Sequence, residues 1–205
     1  MRCLNRPLVL VHGLWNTPKL FNRLRRRLDQ PESLLFTPHL PDNLGRKKIG
    51  ELAVELDSKI KNKFGSDVVI DLLGFSMGGL ISRVWLQDFK GYMRVRRFFS
   101  VGSPHKGTLT AQIVPYYLFP GIAEMKFGSQ LIKSLETDSL KLENIECRSY
   151  FCRSDLMSFP GFMSVLPTGI TCPVPVLNHK ALIKHSNGID LLARDLLEVS
   201  LTKEK

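Results

Sequence analysis

The chain has 205 residues, of which 43% are hydrophobic and 23% charged, so it fits one soluble globular domain over residues 1–205. The formal net charge of +10 includes basic runs at residues 23–27 and 94–97. These runs lack interleaved aromatics and no nucleic-acid motif accompanies them, which argues against a nucleic-acid partner. Two interpretations of the charge are open: the basic residues lie on solvated helix faces, or they attract the protein to an anionic surface, with peripheral contact at a lipid headgroup layer as the sharper expectation.

Strands and helices alternate in the first third of the chain. Residues 7–11 (PLVLV) form a continuous apolar run, as expected for a strand that is buried on both faces. A helix with apolar residues at helical spacing follows and is closed by Pro31. Residues 33–38 predict a weaker strand. Residues 49–64 carry one apolar helical stripe that ends at Gly65.

The same alternation continues to the C-terminus. Strands are predicted at residues 67–73, 95–101, 149–153 and 171–177, with a helix at 78–87, loop and helix over 109–146, and a last helix around Ile189. This pattern predicts an α/β fold with a mostly parallel sheet and helices on both faces. In such sheets, functional residues collect at the carboxyl ends of the strands.

The cysteines and the N-terminus bear on the compartment. Cys3, Cys147, Cys152 and Cys172 form no CxxC pair and have no Cys/His ligand spacing, so no metal site is predicted. The segment MRCLNR runs into a short apolar strand without a signal-peptide pattern. We therefore expect a cytoplasmic protein with reduced, buried thiols. The apolar stretch at residues 109–123 contains two prolines and falls short of a membrane span.

A serine stands between glycines where a buried strand meets a helix. The segment Gly74-Phe75-Ser76-Met77-Gly78 fits G-x-S-x-G, the nucleophile elbow. The serine of an elbow occupies a strained turn, so its neighbours two residues away must be small. The helix after it points its N-terminus at the site, which favours developing negative charge. The alternative is a glycine-rich turn with an idle serine.

A nucleophilic serine needs a base, and the chain has five histidines. The order Ser…Asp…His selects His179 or His185, and His179 is favoured because it sits at the end of a predicted strand. His12 fits a turn-shaping role, and His39 precedes the serine in a polar loop. His105 could line the site, but it precedes any suitable acid.

The base in turn needs an orienting acid, for which Asp155 is the best candidate because it directly follows a predicted strand. Asp138 lies in a polar helical stretch and Asp190 follows both candidate bases. Asp67 and Asp71 flank the strand that leads to the serine. The alternative for Asp155 is a capping role at a turn.

Acyl transfer also needs donors for a tetrahedral oxyanion. In an elbow, one donor is the backbone N–H of the residue after the serine, here Met77. The second must come from an early loop at the top of the sheet. The loop His12-Gly13-Leu14 fits this place, with the N–H of Leu14 as the donor.

Five segments together resemble the lipase-like α/β-hydrolase family. They are LVLVHGLW, DLLGFSMGGLISRVWLQ, SVGSPHKGT, the Asp155-Leu156-Met157 segment and PVLNHKALI, and they stand in the family's order over most of the chain. The size is similar to that of compact bacterial lipases without a large lid domain. The resemblance implies an α/β-hydrolase fold with Ser76 as nucleophile, Asp155 as acid, His179 as base, and Leu14 and Met77 at the oxyanion positions. It implies no cofactor. Phe75 and Asn178 depart from residues common in the family.

Three functions are open at this point. The first is a serine hydrolase that cleaves carboxylic esters, especially lipid-like ones. The second is an acyltransferase that uses the same covalent intermediate with a different acceptor. The third is a non-catalytic protein that binds lipid or a partner and retains the fold. The apolar residues 113–123 could cover the pocket, touch lipid, or pack against the sheet edge. The sequence predicts no oligomeric state.

Overall fold

The computed structural model describes residues 3–198. Six strands form one sheet in the order β2-β1-β3-β4-β5-β6, and all neighbouring strands are parallel. The strands are β1 (Leu8–Val11), β2 (Leu35–Phe36), β3 (Ile70–Phe75), β4 (Val95–Val101), β5 (Glu146–Phe151) and β6 (Ile170–Pro173). The predicted parallel sheet is confirmed.

Residues 3–198 contain seven α-helices, five of them between strands and two after β6. They are α1 (Asn22–Leu28), α2 (Ile49–Phe64), α3 (Met77–Asp88), α4 (Pro120–Ala123), α5 (Gln130–Thr137), α6 (Ala181–Lys184) and α7 (Ser186–Leu197). One apolar cluster packs α2, α3 and α5 on one face of the sheet, and a second packs α1, α6 and α7 on the other. The prediction of helices on both faces is therefore confirmed. The long connection between β4 and β5 contains the short helices α4 and α5 and two 3-10 helices, at Leu109–Ala111 and Ser139–Leu142.

Among the described strands, β4 alone has the predicted bounds. β1 begins one residue later than predicted, and β2 is confined to Leu35–Phe36 of the predicted residues 33–38. β3 begins at Ile70, because Val68 and Val69 lie before the sheet with 39% and 42% of their surface exposed. β5 begins at Glu146, three residues earlier than expected. β6 ends at Pro173, whereas the prediction extended to residue 177. Proline has no N–H for a ladder hydrogen bond, and a second proline follows two residues later.

A buried arginine ties β4 to a neighbouring strand and to a helix. Nε of Arg97 donates to Asp71 Oδ2 on β3 at 2.9 Å. Its two terminal nitrogens reach backbone carbonyls at the end of α7, those of Leu196 at 3.0 Å and Glu198 at 2.9 Å. Carbonyls in the last turn of a helix lack intrahelical partners, so the guanidinium caps α7 as well as pairing with Asp71.

The cysteines only partly follow expectation. All four are free thiols, with Cys147 and Cys152 buried and Cys172 half-buried. Cys3 is exposed, so the expectation of buried thiols is wrong for this residue. Burial raises the pKa of the Cys147 thiol to about 12, which keeps it protonated and unreactive at neutral pH. Within residues 3–198, no helix combines the length and apolar character needed to cross a bilayer.

Candidate active site

Ser76 occupies the turn between the end of β3 and the start of α3. Its backbone has φ 55° and ψ −129°, a conformation that L-residues other than glycine rarely adopt. The turn is held because Ser76 N donates to Val101 O on the neighbouring strand at 2.8 Å. Such strain costs on the order of 1–3 kcal/mol and persists only where the surroundings impose it.

Gly78, two residues after the serine, must be small because the backbone of another segment approaches it closely. A Cβ on Gly78 would run into the carbonyl oxygens of Val11 and His12, the latter at 2.5 Å. The first turn of α3 therefore packs directly against the end of β1. This contact explains the second glycine of the G-x-S-x-G pattern in physical terms.

Two backbone segments that carry the predicted oxyanion donors border Ser76. Met77 is the first residue of α3, so its N–H has no acceptor within the helix. The loop after β1 approaches the serine at Gly13, where a Cβ would lie 3.3 Å from Ser76 Oγ. Leu14 follows directly, and its N–H donates to no residue in the described part of the chain. Both predicted oxyanion donors thus belong to segments that border the serine.

A set of hydrogen bonds fixes the loop that carries Leu14. His12 Nε2 accepts from Leu40 N at 3.0 Å, so the proton resides on Nδ1, which donates to Gly13 O at 3.0 Å. Burial lowers the pKa of His12 and favours this neutral form. Trp15, which has φ 57°, donates its N–H to Asp42 Oδ2 at 2.9 Å. His12 therefore shapes the turn, as its position in the sequence suggested.

Asp155 and His179 form a buried pair next to the serine. His179 Nδ1 lies 2.6 Å from Asp155 Oδ2. The other carboxylate oxygen accepts from the N–H groups of Met157 at 2.9 Å and Ser158 at 3.1 Å. Asp155 is completely buried, so these donors replace the water that a carboxylate otherwise requires. With its proton on Nδ1, His179 presents Nε2 as a base.

Nε2 of His179 is buried, and no described residue provides it with a hydrogen-bond partner. The imidazole packs against Phe75, with the ring centroids 4.8 Å apart. Ser76 and His179 line the same cavity, yet no hydrogen bond joins Ser76 Oγ to Nε2 within the described chain. Catalytic hydrogen bonds are often longer before substrate binds.

The cavity at Ser76 has a volume of about 350 Å³. Its walls are mostly apolar and include Leu14, Phe75, Pro104, Ala111, Val114, Ile122, Met125 and Met157. The polar groups at its surface are few and include Ser76, His179 and two threonines. An apolar cavity with a few convergent polar groups is the usual form of a small-molecule site. Of the apolar segment 113–123, Val114 and Ile122 line this cavity, whereas Ile113 and Tyr117 point outwards with 92% and 83% exposure.

A wider and more open groove of about 650 Å³ runs beside α5. None of the predicted site residues borders it, so volume alone does not locate the chemistry. Within residues 3–198, no cluster of His, Cys, Asp and Glu side chains could hold a metal ion.

The remaining histidines lie away from the Asp155–His179 pair. His105 is fully buried, and its Nε2 lies 2.6 Å from Ser100 Oγ. His185 accepts from Asn187 N at 3.2 Å and caps α7. His39 is exposed and stacks on His12. The choice of His179 relied partly on its being at a strand end, and this reason is wrong because β6 ends at Pro173.

Sequence reasoning missed three supporting residues. Asp42 accepts from Trp15 N although 27 residues separate them. The hydroxyls of Thr108 and Thr110 both donate to the carbonyl of Met157, at 2.9 and 3.0 Å, and so brace the segment that holds Asp155. Only the threonine in the SPHKGT loop had any signal in the sequence, since that loop follows a strand.

A sequence model described as the alpha/beta hydrolase fold matches residues 6–138. The chain therefore belongs to the α/β-hydrolase family, as the sequence indicated. No curated protein matches the chain.

Solved structures with the same fold include several lipolytic enzymes. The mature form of the Bacillus licheniformis lipase BlEst2 has 18% identity and a TM-score of 0.72, covering 95% of this chain and 92% of that one. An α/β-hydrolase enzyme, MGS-MChE2, from a sediment metagenome of the Mar Chica lagoon in Morocco has 18% identity and a TM-score of 0.65, covering 95% and 91%. Aspergillus fumigatus lipase B has 13% identity and a TM-score of 0.76, and this chain spans 52% of its length while 94% of this chain is covered. At these identities the likeness establishes the fold.

Proposed function

We propose that the chain is a single catalytic domain, a serine hydrolase that cleaves carboxylic esters of lipid-like substrates. The observation that carries this proposal is the position of Ser76, strained at the elbow, in one apolar cavity with the buried His179–Asp155 pair. The likeness to structures named as lipases supports the same reaction class.

In the proposed reaction, Ser76 Oγ attacks the acyl carbonyl carbon while its proton passes to His179 Nε2. Asp155 holds the imidazole in the required tautomer and stabilises the imidazolium that forms. The oxyanion accepts hydrogen bonds from the N–H groups of Leu14 and Met77, each worth about 10²–10³ in rate. The imidazolium gives its proton to the departing alcohol, which leaves the acyl-enzyme.

Water completes the cycle by attacking the acyl-enzyme as His179 takes its proton, and Ser76 is restored. The apolar walls favour the acyl chain, because burying apolar surface contributes roughly 25 cal/mol per Å². With an alcohol in place of water, the same intermediate would give acyl transfer.

The test is hydrolysis of p-nitrophenyl esters of short to long acyl chains by the wild type and by Ser76→Ala. We expect the substitution to lower kcat by about 10⁴–10⁶-fold. Ser58→Ala is the matched control, since Ser58 is exposed on α2. Turnover that survives in Ser76→Ala would exclude the proposed nucleophile. Product analysis with an added alcohol separates hydrolysis from acyl transfer.

A further inference from the structure

Two segments that contribute to the cavity wall also carry exposed apolar side chains. They are residues 109–118 and residues 156–162, which together we call the mouth face. Its exposed large apolar residues are Leu109, Ile113, Tyr116, Tyr117, Leu118, Leu156, Met157, Phe159 and Phe162. Contiguous apolar surface of this kind marks an interaction site on a soluble domain.

The two segments form one continuous surface. Leu109 N donates to Phe159 O at 3.2 Å, and Thr110 Oγ1 donates to Met157 O at 3.0 Å. The cavity opens through this surface, because Met157 lines the cavity and is also 48% exposed. Trp15, 61% exposed, lines the cavity from the opposite loop. A molecule bound to the mouth face would therefore stand directly over the route to Ser76.

The charges around the mouth face favour an anionic partner. The chain has no acidic residue at positions 89–123 and none at positions 156–189, the two stretches that contain the mouth face. Cations border the same surface. Lys48 Nζ lies 5.9 Å from the centre of the Tyr116 ring, Lys180 lines the cavity, and exposed Lys106 is joined through its N–H to Met163 O at 3.2 Å.

We propose that the mouth face docks on the surface of an anionic phospholipid bilayer, an inference that rests on the proposed ester hydrolase and identifies where its substrate lies. Tyrosine and tryptophan rings prefer the boundary between headgroups and acyl chains, and lysines above it are attracted to anionic headgroups. The charge argues against a second copy of the chain, because a two-fold contact would set cations against cations. An ester lipid could then pass from the bilayer to Ser76 without crossing water.

The test uses the full chain with Ser76→Ala, so that vesicles are not consumed. Binding is measured by co-sedimentation with vesicles of phosphatidylcholine alone and of phosphatidylcholine with phosphatidylglycerol. We expect binding to the anionic vesicles at low salt, little binding to the neutral ones, and weaker binding as salt rises. Equal binding to both vesicles, or none to either, would overturn the proposal.

Substitutions locate the contact. In the Ser76→Ala background, Ile113→Ser with Tyr117→Ser should weaken binding by about tenfold or more, because both side chains would lose their apolar contact with lipid. Met93→Ser with Leu140→Ser is the matched control. These residues are 69% and 70% exposed, but they precede β4 and β5 and so belong to the amino ends of the strands, away from the cavity. Equal losses of vesicle binding in the two double variants would exclude the mouth face as the site of contact.

The cation is tested in the same way. Lys48→Gln should weaken binding to anionic vesicles by about fivefold, and exposed Lys133→Gln on α5 should change it less. Sedimentation velocity that finds a stable dimer, lost in Ile113→Ser with Tyr117→Ser, would assign the face to a second copy and overturn the proposal.

Failure of docking and failure of the proposed reaction give different results. If the wild type hydrolyses soluble short-chain esters but Ser76→Ala does not bind anionic vesicles, the docking proposal is wrong and the proposed enzyme activity stands. If the chain binds anionic vesicles but hydrolyses no ester, the proposed enzyme activity is wrong and the docking face stands. We expect Ile113→Ser with Tyr117→Ser to retain activity on soluble esters and to lose it on esters in anionic vesicles.

Discussion

Two buried acid–base pairs, one within the sheet and one beyond the carboxyl ends of its strands, differ in how completely their polar atoms are satisfied. In the pair nearer the amino ends of the strands, every nitrogen of the Arg97 guanidinium has an acceptor on Asp71 or α7, and Asp71 Oδ1 is left without a partner. In the pair beyond the carboxyl ends, both oxygens of Asp155 are used, whereas His179 Nε2 has no partner among the described residues. The first pair holds elements together, and the second keeps a nitrogen available for a proton.

Substitution of Asp155 tests the role of the second pair, and we expect it to have the largest effect, a loss of kcat. Asp155→Asn keeps an oxygen for the N–H groups of Met157 and Ser158 but offers an amide to Nδ1, which favours the wrong tautomer of His179. We expect kcat to fall by about 10⁴-fold with little change in Tm. The measurement is steady-state kinetics on a soluble ester, with exposed Asp67→Asn as the control. More than a tenth of wild-type kcat in Asp155→Asn would remove Asp155 from its proposed role.

The next largest effect is on stability, at the other pair. Arg97→Met leaves Asp71 buried without its partner and uncaps α7, so the free energy of unfolding should fall by about 3–5 kcal/mol. Urea denaturation measures this loss, and exposed Lys63→Met on α2 is the control. The kcat of the folded fraction should not change. A loss of kcat at full stability would show that the two pairs do not have separate roles.

A third test concerns pH. Burial, with a contribution from the nearby charge of Arg83, lowers the pKa of His105 well below its usual value. Below about pH 6.5 the unfolded chain binds a proton that the folded chain does not, so stability should decline by up to about 1.4 kcal/mol per pH unit as pH falls. His12 should add to this decline because its pKa is also lowered. Denaturant titrations from pH 7 downwards should show a shallower decline in His105→Gln, and equal slopes would contradict the assignment.

The smallest expected effect is on kcat, from a substitution that weakens the support of the segment that holds Asp155. Thr108→Val removes a hydroxyl that donates to Met157 O at 2.9 Å and so loosens the segment whose N–H groups hold Asp155. The loss of one hydrogen bond, about 1 kcal/mol, would lower kcat about fivefold if it falls on the transition state. KM should change little. Thr137→Val, which removes an exposed bond to Lys133 O, is the control. An effect on KM alone would place Thr108 in substrate binding.

The sequence predicted well whatever depends on neighbouring residues. β4 was predicted with its observed bounds, and α2 with both of its ends, because an apolar run or stripe and a terminal glycine are local signals. The elbow could be located because its strand, turn and helix are contiguous in the chain. β6 was predicted too long because Val174 and Val176 favour a strand, whereas Pro173 and Pro175 lack the N–H groups that would extend it.

Contacts between distant parts of the chain could not be predicted in the same way. Nothing near Trp15 indicates that Asp42 will hold its N–H, and nothing near Asp155 indicates that two threonines of another loop will brace it. These bonds exist only because parallel strands bring separate loops to one edge of the sheet. Chain order, which is a property of the fold, narrowed the base to His179 or His185, and position after a predicted strand then favoured His179 and Asp155.

The approach of Gly78 to the end of β1 has a consequence for how this pocket could change over evolution. A larger side chain at Gly78 or Gly13 would collide with main-chain atoms of the elbow and its neighbouring loop. We expect new acyl preferences to be gained instead through substitutions at cavity-lining residues outside the elbow, such as Ala111, Val114 and Met125. The backbone next to the elbow is thereby conserved together with the catalytic geometry, while these other side chains can change with the substrate.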